Sequence, residues 1–222
     1  MQLELQNVGY SYNGKELVLR HVNYRFEDGR IYAITGRSGA GKTTLLSLLS
    51  QLTKPTEGKI LYNGLDVSEV DQYLYRSQYA GVIFQSFNLL MHLTAVENVM
   101  LSMDIAGVKK ENNRAYAMEL LEKVGLSKEE SQRRILKLSG GQQRVAIARA
   151  VSYDPAILLA DEPTGNLDED TQDEIMEIFK GLAYEEQKCI ILVTHSPVVA
   201  SLADEVYALT DTKKIKNRQK GV

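Results

Sequence analysis

The sequence predicts an α/β fold, in which a parallel β-sheet is covered by helices and an antiparallel β part precedes it. Short apolar runs at 31–35, 156–160 and 189–194 alternate with helical patterns, which is typical of parallel strands buried on both faces. Residues 2–29 instead alternate apolar and polar side chains, as antiparallel strands do. Residues 86–137 carry helical periodicity between two predicted strands, so we expect them to form a helical insertion.

Length, composition and charge limit the class of protein. The chain has 222 residues, 44% of them hydrophobic, which suits one domain with a sizeable core. Its net charge is −3 and no stretch before the last ten residues is strongly basic, so nucleic acid is not expected as the main partner. Cys189 is the one cysteine, which excludes a disulfide within the chain. No run of about 18 apolar residues and no signal peptide is found, so we expect a cytosolic protein.

Turn residues place the elements of the N-terminal half. Asn13-Gly14 predicts a hairpin turn, and Asp28-Gly29 predicts the turn that leads into strand 31–35. Two further strands are predicted at 58–64 and 79–84, because each is a short apolar run with a turn residue or a polar residue at its end.

Helical spacing and breakers place the elements of the C-terminal half. One apolar helix face in the insertion has its members at i, i+3, i+4 and i+7: Ala117, Leu120, Leu121 and Val124. A helix over 141–153 is stopped by Asp154-Pro155, a second helix is predicted over 168–184, and a last strand near 205–210. The basic tail from Lys213 onward is interpreted as a solvated segment, with a contact to a membrane surface or a partner as the alternative.

The stretch 36–44 matches the phosphate-binding loop G-x-x-x-x-G-K-[ST] at every fixed position and lies between a strand and a helix. Its glycines let the backbone N–H groups point inward as an anion nest, and the helix dipole adds to the attraction. Lys42 brings a cation to the outer phosphates, and the Thr43 hydroxyl is suited to Mg²⁺. A nucleoside triphosphate is therefore predicted to contact the residues Gly36, Arg37, Ser38, Gly39, Ala40, Gly41, Lys42, Thr43 and Thr44.

Two carboxylates follow the apolar strand 156–160. An apolar strand ending in a carboxylate is the magnesium side of a phosphate-loop NTPase, so Asp161 is predicted to hold Mg²⁺ opposite Thr43. Glu162 is predicted to point to the other side of the strand and to accept a proton from an attacking water. If the chain had no loop like that at 36–44, helix capping would be the preferred explanation for these two carboxylates.

A second candidate phosphate surface is Leu138-Ser139-Gly140-Gly141-Gln142, at the start of the helix predicted over 141–153. Ser and two glycines at a helix N-terminus form an anion site. Because one nucleotide does not readily use both surfaces of one chain, two chains arranged head to tail are predicted, each phosphate loop facing the other chain's Ser139, Gly140, Gly141 and Gln142. The alternative is that Ser139 only caps the helix.

In this order the motifs are highly specific, and over its whole length the chain resembles the nucleotide-binding subunit of an ABC transporter. The resemblance implies an ABC ATPase fold with a mixed sheet, a core of 1–85 and 138–222, and an insertion of about 86–137, in one domain. It implies ATP and Mg²⁺ as cofactors.

The resemblance also implies roles for further residues. Gln85 is expected to touch Mg²⁺ and to report to the membrane partner, and His195 to contact the γ-phosphate. Asp168 is expected at the seam between two ATPase chains. Tyr12 is the expected adenine-stacking residue, with Tyr10 as the alternative because an alternating strand leaves both on one face. The expected catalytic set is Lys42, Gln85, Glu162, Asp168 and His195.

The segments 93–99 and 160–168 are similar to one branch of the family, which includes lipoprotein-releasing ATPases, MacB-type pumps and FtsE proteins. The resemblance implies a separate membrane permease, a second ATPase chain that is identical or different, and a place at the cytoplasmic face of the membrane. The apolar stretch 87–93 is predicted to receive a permease helix, unless its residues belong to the core. Alternatives are an FtsE-like role in cell division, a soluble ABC ATPase without a transport role, and, least favoured, a phosphate-loop kinase.

One departure from the family pattern lies next to the signature. The family has two residues between the second signature glycine and the Gln-Arg-Val-Ala run, whereas here only Gln142 separates Gly141 from Gln143. The helix is therefore one residue short. Either Gly140-Gly141 absorb the change, or the contact with the other chain's nucleotide is poorly aimed, and we expect compensation that is only partial.

Overall fold

Two five-stranded sheets form the centre of the fold in the computed structural model, which describes residues 2–138, 141–165 and 167–209. The antiparallel sheet has the order β2-β1-β5-β6, with β3 also paired to β1. Its strands are β1 (Gln2–Tyr10), β2 (Leu19–Val22), β3 (Arg25–Glu27), β5 (Glu57–Tyr62) and β6 (Leu65–Asp66). Asn13-Gly14 lies in an eight-residue connection between β1 and β2, so the predicted turn is part of a longer loop.

The second sheet is parallel and has the order β10-β4-β9-β8-β7. Its strands are β4 (Arg30–Thr35), β7 (Ala80–Ile83), β8 (Ile157–Asp161), β9 (Cys189–Val193) and β10 (Glu205–Ala208). Each pairs in parallel with its neighbour, for example Ile31 with Ile190 and Leu158 with Ile190. The predicted fold class is confirmed, with the antiparallel and parallel parts as two separate sheets among the described residues.

Helices cover the parallel sheet and build the insertion. They are α1 (Lys42–Leu49), α2 (Gln72–Gln78), α3 (Ala95–Ile105), α4 (Asn113–Lys123), α5 (Lys128–Ser131), α6 (Gln142–Val151), α7 (Glu169–Lys180) and α8 (Pro197–Ser201). The helix predicted over 168–184 is α7 followed by a π-helical turn at Gly181–Glu185. No helix within 2–138, 141–165 and 167–209 is long and apolar enough to cross a membrane.

The parallel sheet divides the core into two clusters, because alternate strand residues point to opposite faces. In β9, Ile190 and Leu192 pack with α3, α4, α6 and α7 of one cluster, whereas Ile191 and Val193 pack with α1 and the antiparallel sheet. The apolar face predicted in the insertion is buried as part of the first cluster: Ala117, Leu120, Leu121 and Val124. Because the parallel sheet is packed on both faces, the carboxyl ends of its strands are held in fixed positions.

Candidate functional site

A cleft of about 430 Å³ opens beside the carboxyl edge of the parallel sheet. In parallel α/β sheets this edge is where ligands bind, because the strand ends present loops and helix N-termini there. The cleft is lined by Tyr12, Val18, Ser38, Gly39, Gly41, Lys42, Thr43, Thr44, Gln85, Asp161, Glu162 and His195. The structure thus brings together most residues of the phosphate loop with the candidate residues that follow β7, β8 and β9.

The phosphate loop curls because two of its glycines adopt left-handed backbone, with φ of 78° at Gly39 and 95° at Gly41. A Cβ atom at Gly41 would lie 2.8 Å from the side chain of Leu19, so this position has no room for a larger residue. The Lys42 Nζ donates to the carbonyl oxygens of Gly36, at 2.9 Å, and Arg37, at 3.4 Å. The ammonium group therefore lies over the loop, within reach of any anion that the loop holds.

Three members of the predicted loop set do not line the cleft. Ala40 is buried and packs in the cluster beside α1, and Arg37 is exposed. The Gly36 carbonyl oxygen accepts a hydrogen bond from the Lys42 Nζ, so the contribution of Gly36 is to position the ammonium group. The loop residues that line the cleft are Ser38, Gly39, Gly41, Lys42, Thr43 and Thr44.

Asp161 is the last residue of β8, and its carboxyl group forms a hydrogen bond with the Thr43 side chain. Burial raises the pKa of the Asp161 carboxyl, and the nearby charge of Glu162 raises it further, whereas Thr43 and Lys42 act in the opposite direction. A carboxylate held in this way is stabilised by a cation. The pair Thr43 and Asp161 thus presents the oxygen ligands that Mg²⁺ prefers.

The described residues contain no cluster of three His, Cys, Asp or Glu side chains that would hold a metal ion alone. This donor set fits Mg²⁺ because the ion is usually bound by one or two carboxylates and completed by substrate phosphates and water. The loop supplies the place for such phosphates next to Thr43.

Glu162 corrects the sequence-based expectation about its direction. It lies beyond the end of β8, its φ is 46°, and it lines the same cleft as Asp161 instead of pointing to the other side of the strand. Its Oε2 is 2.9 Å from Nδ1 of His195 and accepts a hydrogen bond from the His195 backbone N–H at 3.3 Å. The Glu162 side chain is 12% exposed and the His195 side chain 68%, so a largely buried carboxylate contacts an imidazole that is open to the cleft and to solvent.

Tyr12 lies at the mouth of the cleft and is 71% exposed. Its hydroxyl group and the Thr44 Oγ1 are 2.8 Å apart, and its ring meets that of Tyr10 edge to face at 5.0 Å. Tyr10 is partly buried and packs against the core, so Tyr12 is the one of the two that offers a ring to the cleft. Val18 lines the cleft as well and was missed, because an apolar residue in the run Leu17-Val18-Leu19 carries no signal for ligand binding.

Asp168 does not line the cleft. It is the N-cap of α7, where its carboxylate accepts hydrogen bonds from the Thr171 backbone N–H at 2.9 Å and the Thr171 hydroxyl at 3.0 Å. These hydrogen bonds lower the pKa of the Asp168 carboxyl. The structure thus shows a capping role for Asp168, and its place at a seam between chains stays a prediction.

The second phosphate surface stays a prediction, since two of its residues, Ser139 and Gly140, lie outside the described residues. Gly141 is the N-cap of α6 and Gln142 is the first residue of that helix. Neither lines the cleft, and a Cβ atom at Gly141 would collide with the side chain of Leu138. The tail from Lys213 onward also lies outside the described residues.

Comparison with known proteins gives consistent results. The family described as ABC transporter matches residues 19–165. The uncharacterized ABC transporter ATP-binding protein YclH of Bacillus subtilis is 47% identical over 204 residues, which cover 91% of this chain and 90% of YclH. The lipoprotein-releasing system ATP-binding protein LolD of Saccharophagus degradans is 44% identical over 206 residues, 90% of each chain. The dimeric structure of MJ0796, a bacterial ABC transporter cassette, has a TM-score of 0.85 and 37% identity and covers 94% of each chain.

Proposed function

Because the chain belongs to the ABC transporter family and is an ABC ATPase, we propose that it hydrolyses ATP with Mg²⁺ as one of two ATPase chains that drive a membrane permease. The observation that carries the proposal is the single cleft in which the phosphate loop, Asp161, Glu162 and His195 meet. The similarity to LolD, and the resemblance to the MacB-type and lipoprotein-releasing branch, support a role in export or in lipoprotein release.

The phosphate side of the cleft would bind the nucleotide. The inward N–H groups of the loop and Lys42 hold the phosphates, and Lys42 exchanges its bonds to loop carbonyls for bonds to phosphate oxygens. Tyr12 turns its exposed ring to the base. Thr43, Asp161 and Gln85 would hold Mg²⁺, which would supply positive charge against the phosphates.

The opposite side of the cleft would carry the chemistry. Glu162 holds its carboxylate at the edge of the cleft, where it accepts the proton of an attacking water. His195 donates from its backbone N–H to Glu162 and so fixes the carboxylate, while its exposed ring turns toward the outermost phosphate. The left-handed backbone at Glu162 is a strained conformation of the kind that occurs at active sites.

Substitution of Glu162 tests the catalytic assignment. Glu162→Gln keeps the shape of the side chain and removes the base, so ATP binding is retained and hydrolysis falls by about 10²–10⁴-fold. Glu169→Gln, at an exposed position in the first turn of α7, is the matched control and leaves the rate unchanged. A Glu162→Gln variant that hydrolyses ATP at the normal rate contradicts the assignment.

The two-chain arrangement is tested with the same variant. Without hydrolysis, ATP would stay bound between the phosphate loop of one chain and the Gly141 surface of the other. Light scattering after size-exclusion chromatography should show dimers of Glu162→Gln with ATP and Mg²⁺, and monomers when Lys42→Ala is added. If the oligomeric state does not depend on ATP, this arrangement is wrong.

The permease would contact the boundary between core and insertion. Leu89 is buried and belongs to the core, whereas Leu90 and Met91 are exposed, so only part of the stretch 87–93 is available. A groove of about 350 Å³ lies between α2 and α3, where Tyr73 and Ile105 are both exposed. We assign this groove to a cytoplasmic helix of the permease, because it offers apolar surface from α2 in the core and from α3 in the insertion.

Cysteine cross-linking in native membranes tests this surface. A cysteine in place of Ile105 or Met91 should cross-link to a membrane protein, and a cysteine in place of Leu136, which is about as exposed as Ile105, serves as the control. Identification of the cross-linked protein separates a lipoprotein-release or MacB-type permease from an FtsE partner. Equal labelling at Leu136 and at the other two positions contradicts the assignment of the groove.

A further inference from the structure

The loop that carries Gln85 into the cleft is bent through two consecutive residues in left-handed backbone. The φ angles are 61° at Phe87 and 49° at Asn88, and neither residue is a glycine. This backbone is strained for a bulky residue such as Phe87, whereas asparagine adopts it more readily, so bonds from elsewhere help the loop to keep its shape. Residues 85–90 are called the Gln85 loop below.

Arg149 of α6 supplies two of these bonds. Its Nη1 donates to the Asn88 carbonyl oxygen at 2.6 Å and its Nη2 donates to the Phe87 carbonyl oxygen at 2.8 Å. The planar guanidinium group thus bridges the carbonyls of both strained residues, a geometry that lysine does not reproduce. Burial lowers the pKa of the Arg149 guanidinium group. Since a buried cation is costly, these bonds also satisfy Arg149 itself.

The far end of the Gln85 loop is held from a different helix. Asn98 of α3 accepts a hydrogen bond from the Leu90 backbone N–H at 2.8 Å and donates to the Leu90 carbonyl oxygen at 3.1 Å. The loop therefore spans two anchors, one on the insertion helix α3 and one on α6. Gln85 lies on the Arg149 side, three residues before Asn88.

The helix that carries Arg149 begins at the signature. Gln142 is the first residue of α6, and Arg149 follows seven residues later, about 10 Å along the helix axis. The residues between them lie in one unbroken helix and include four that are completely buried: Val145, Ala146, Ile147 and Ala148. The signature end and the Arg149 fork are therefore joined by a stiff, closely packed segment.

We propose that Arg149 is a positioning residue, which couples the signature helix to the Gln85 loop and sets how far Gln85 reaches into the cleft. The inference rests on the proposed function, in that Gln85 takes part in binding Mg²⁺ with the nucleotide. When a second chain's nucleotide engages the signature, α6 and the two carbonyls it holds move together, and Gln85 moves with them. One chain's nucleotide thus adjusts the metal site of the other.

Arg144 provides a control in the same helix. Its Nη1 donates to the Val124 carbonyl oxygen at 2.6 Å and its Nη2 pairs with Glu174 of α7, so it ties α6 to α4 and α7 and not to the Gln85 loop. Arg144→Lys and Arg149→Lys each remove one guanidinium group from α6 and keep its positive charge. Of the two substitutions, only Arg149→Lys removes bonds to the Gln85 loop.

The first measurement is hydrogen–deuterium exchange of the nucleotide-free chain. Arg149→Lys should increase the exchange rate in residues 84–90 about tenfold, because strained backbone loses its two bonds. Arg144→Lys should leave this segment unchanged. Equal exchange in the wild type and Arg149→Lys overturns the proposal, and this result does not depend on whether the chain hydrolyses ATP.

The second measurement is the Mg²⁺ dependence of binding of a fluorescent, non-hydrolysable ATP analogue. Arg149→Lys should raise the half-saturating Mg²⁺ concentration about tenfold, as expected for a residue that positions a metal ligand. In the background of Gln85→Ala the same substitution should have no further effect. Independent, additive effects overturn the proposal, and so does loss of Mg²⁺-free nucleotide binding, which would show that Arg149 supports the whole domain. A wild type that binds no nucleotide contradicts the proposed function instead.

Discussion

The phosphate loop and the Gln85 loop line the same cleft and both contain left-handed backbone, but they are stabilised in opposite ways. The phosphate loop uses Gly39 and Gly41 where φ is positive, so its shape follows from its own residues. The Gln85 loop places Phe87 and Asn88 at positive φ and is held by Arg149 and Asn98 from two helices. The difference indicates that the phosphate loop is preformed, whereas the shape of the Gln85 loop depends on the positions of the helices that hold it.

The largest expected effect tests the self-contained loop. Gly41→Ala places a Cβ atom in left-handed backbone and against Leu19, at 2.8 Å, whereas Gly39→Ala has nothing within 4 Å and adds only backbone strain. Strain costs about 1–3 kcal/mol, and the collision at Gly41 adds about 1–3 kcal/mol. Nucleotide affinity should therefore fall about 100-fold or more for Gly41→Ala and about tenfold for Gly39→Ala.

Titration with a fluorescent ATP analogue measures both affinities, and thermal unfolding shows whether each variant is folded. Equal losses at the two glycines would mean that the contact with Leu19 is unimportant and that backbone strain alone sets the shape of the loop.

The same difference explains how much the sequence predicts. The phosphate loop, Asp161 and the five parallel strands follow from local patterns, because glycine spacing and apolar runs record the backbone directly. The left-handed backbone at Glu162, Phe87 and Asn88 carries no glycine signal, and contacts distant in sequence help to hold it, from His195 to Glu162 and from Arg149 to the carbonyls of the other two. Sequence reasoning therefore placed Glu162 in the cleft's chemistry but gave it the wrong direction.

Short elements were missed for a related reason. The helix α2 lacks the apolar periodicity of a longer helix, although Asp71 accepts hydrogen bonds from the N–H groups of Tyr73 and Leu74 as its N-cap. The helix α8 has Ser196 as its cap and Pro197 at its first turn, a start signal that was available in the sequence. The role of Arg149 depends on a contact 61 residues away, which no local pattern contains.

A medium effect is expected from Asp161 and Asp168, two carboxylates whose pKa values are shifted in opposite directions. The raised pKa of Asp161 means that its ionised form is disfavoured in the folded chain, so the folded state loses stability as the pH rises from 3.8 through the raised pKa. The lowered pKa of Asp168 means the opposite, with stability present above 3.8 and lost as the pH falls through the lowered pKa. Ionisation of Asp161 thus costs the fold stability, as expected of a residue that is predicted to hold a cation, whereas ionised Asp168 stabilises the fold as a helix cap.

Asp161→Asn should therefore raise the melting temperature of the nucleotide-free chain at pH 7, by roughly 2 °C. Asp168→Asn should not raise it, and the gain at Asp161 should shrink as the pH falls toward 3.8. Calorimetry without Mg²⁺ measures the melting temperatures of both variants and the pH dependence of the gain at Asp161. A lower melting temperature for Asp161→Asn would show that the hydrogen bond to Thr43 outweighs the burial of the charge.

The smallest effect concerns the signature helix, which is one residue shorter than the family pattern. In the nucleotide-free chain the body of α6 is held in place by its buried face and by the bonds of Arg144 and Arg149, so the missing residue must be absorbed before Gln142. Gly141 has no room to shift toward Leu138, because a Cβ atom there would already collide with it. We therefore expect the absorption to be incomplete.

Inserting one Gln between Gln142 and Gln143 turns the signature by about 100° and moves it about 1.5 Å relative to the body of α6. Hydrogen bonds weaken within a few tenths of an ångström, so restoring the contact with the other chain's nucleotide should raise the ATPase rate of the assembled transporter about threefold. A Gln inserted after Gly107, where the loop is open, is the control for the insertion itself and should leave the rate unchanged. An unchanged or lower rate for the signature insertion would show that the backbone before Gln142 already takes up the missing residue in full.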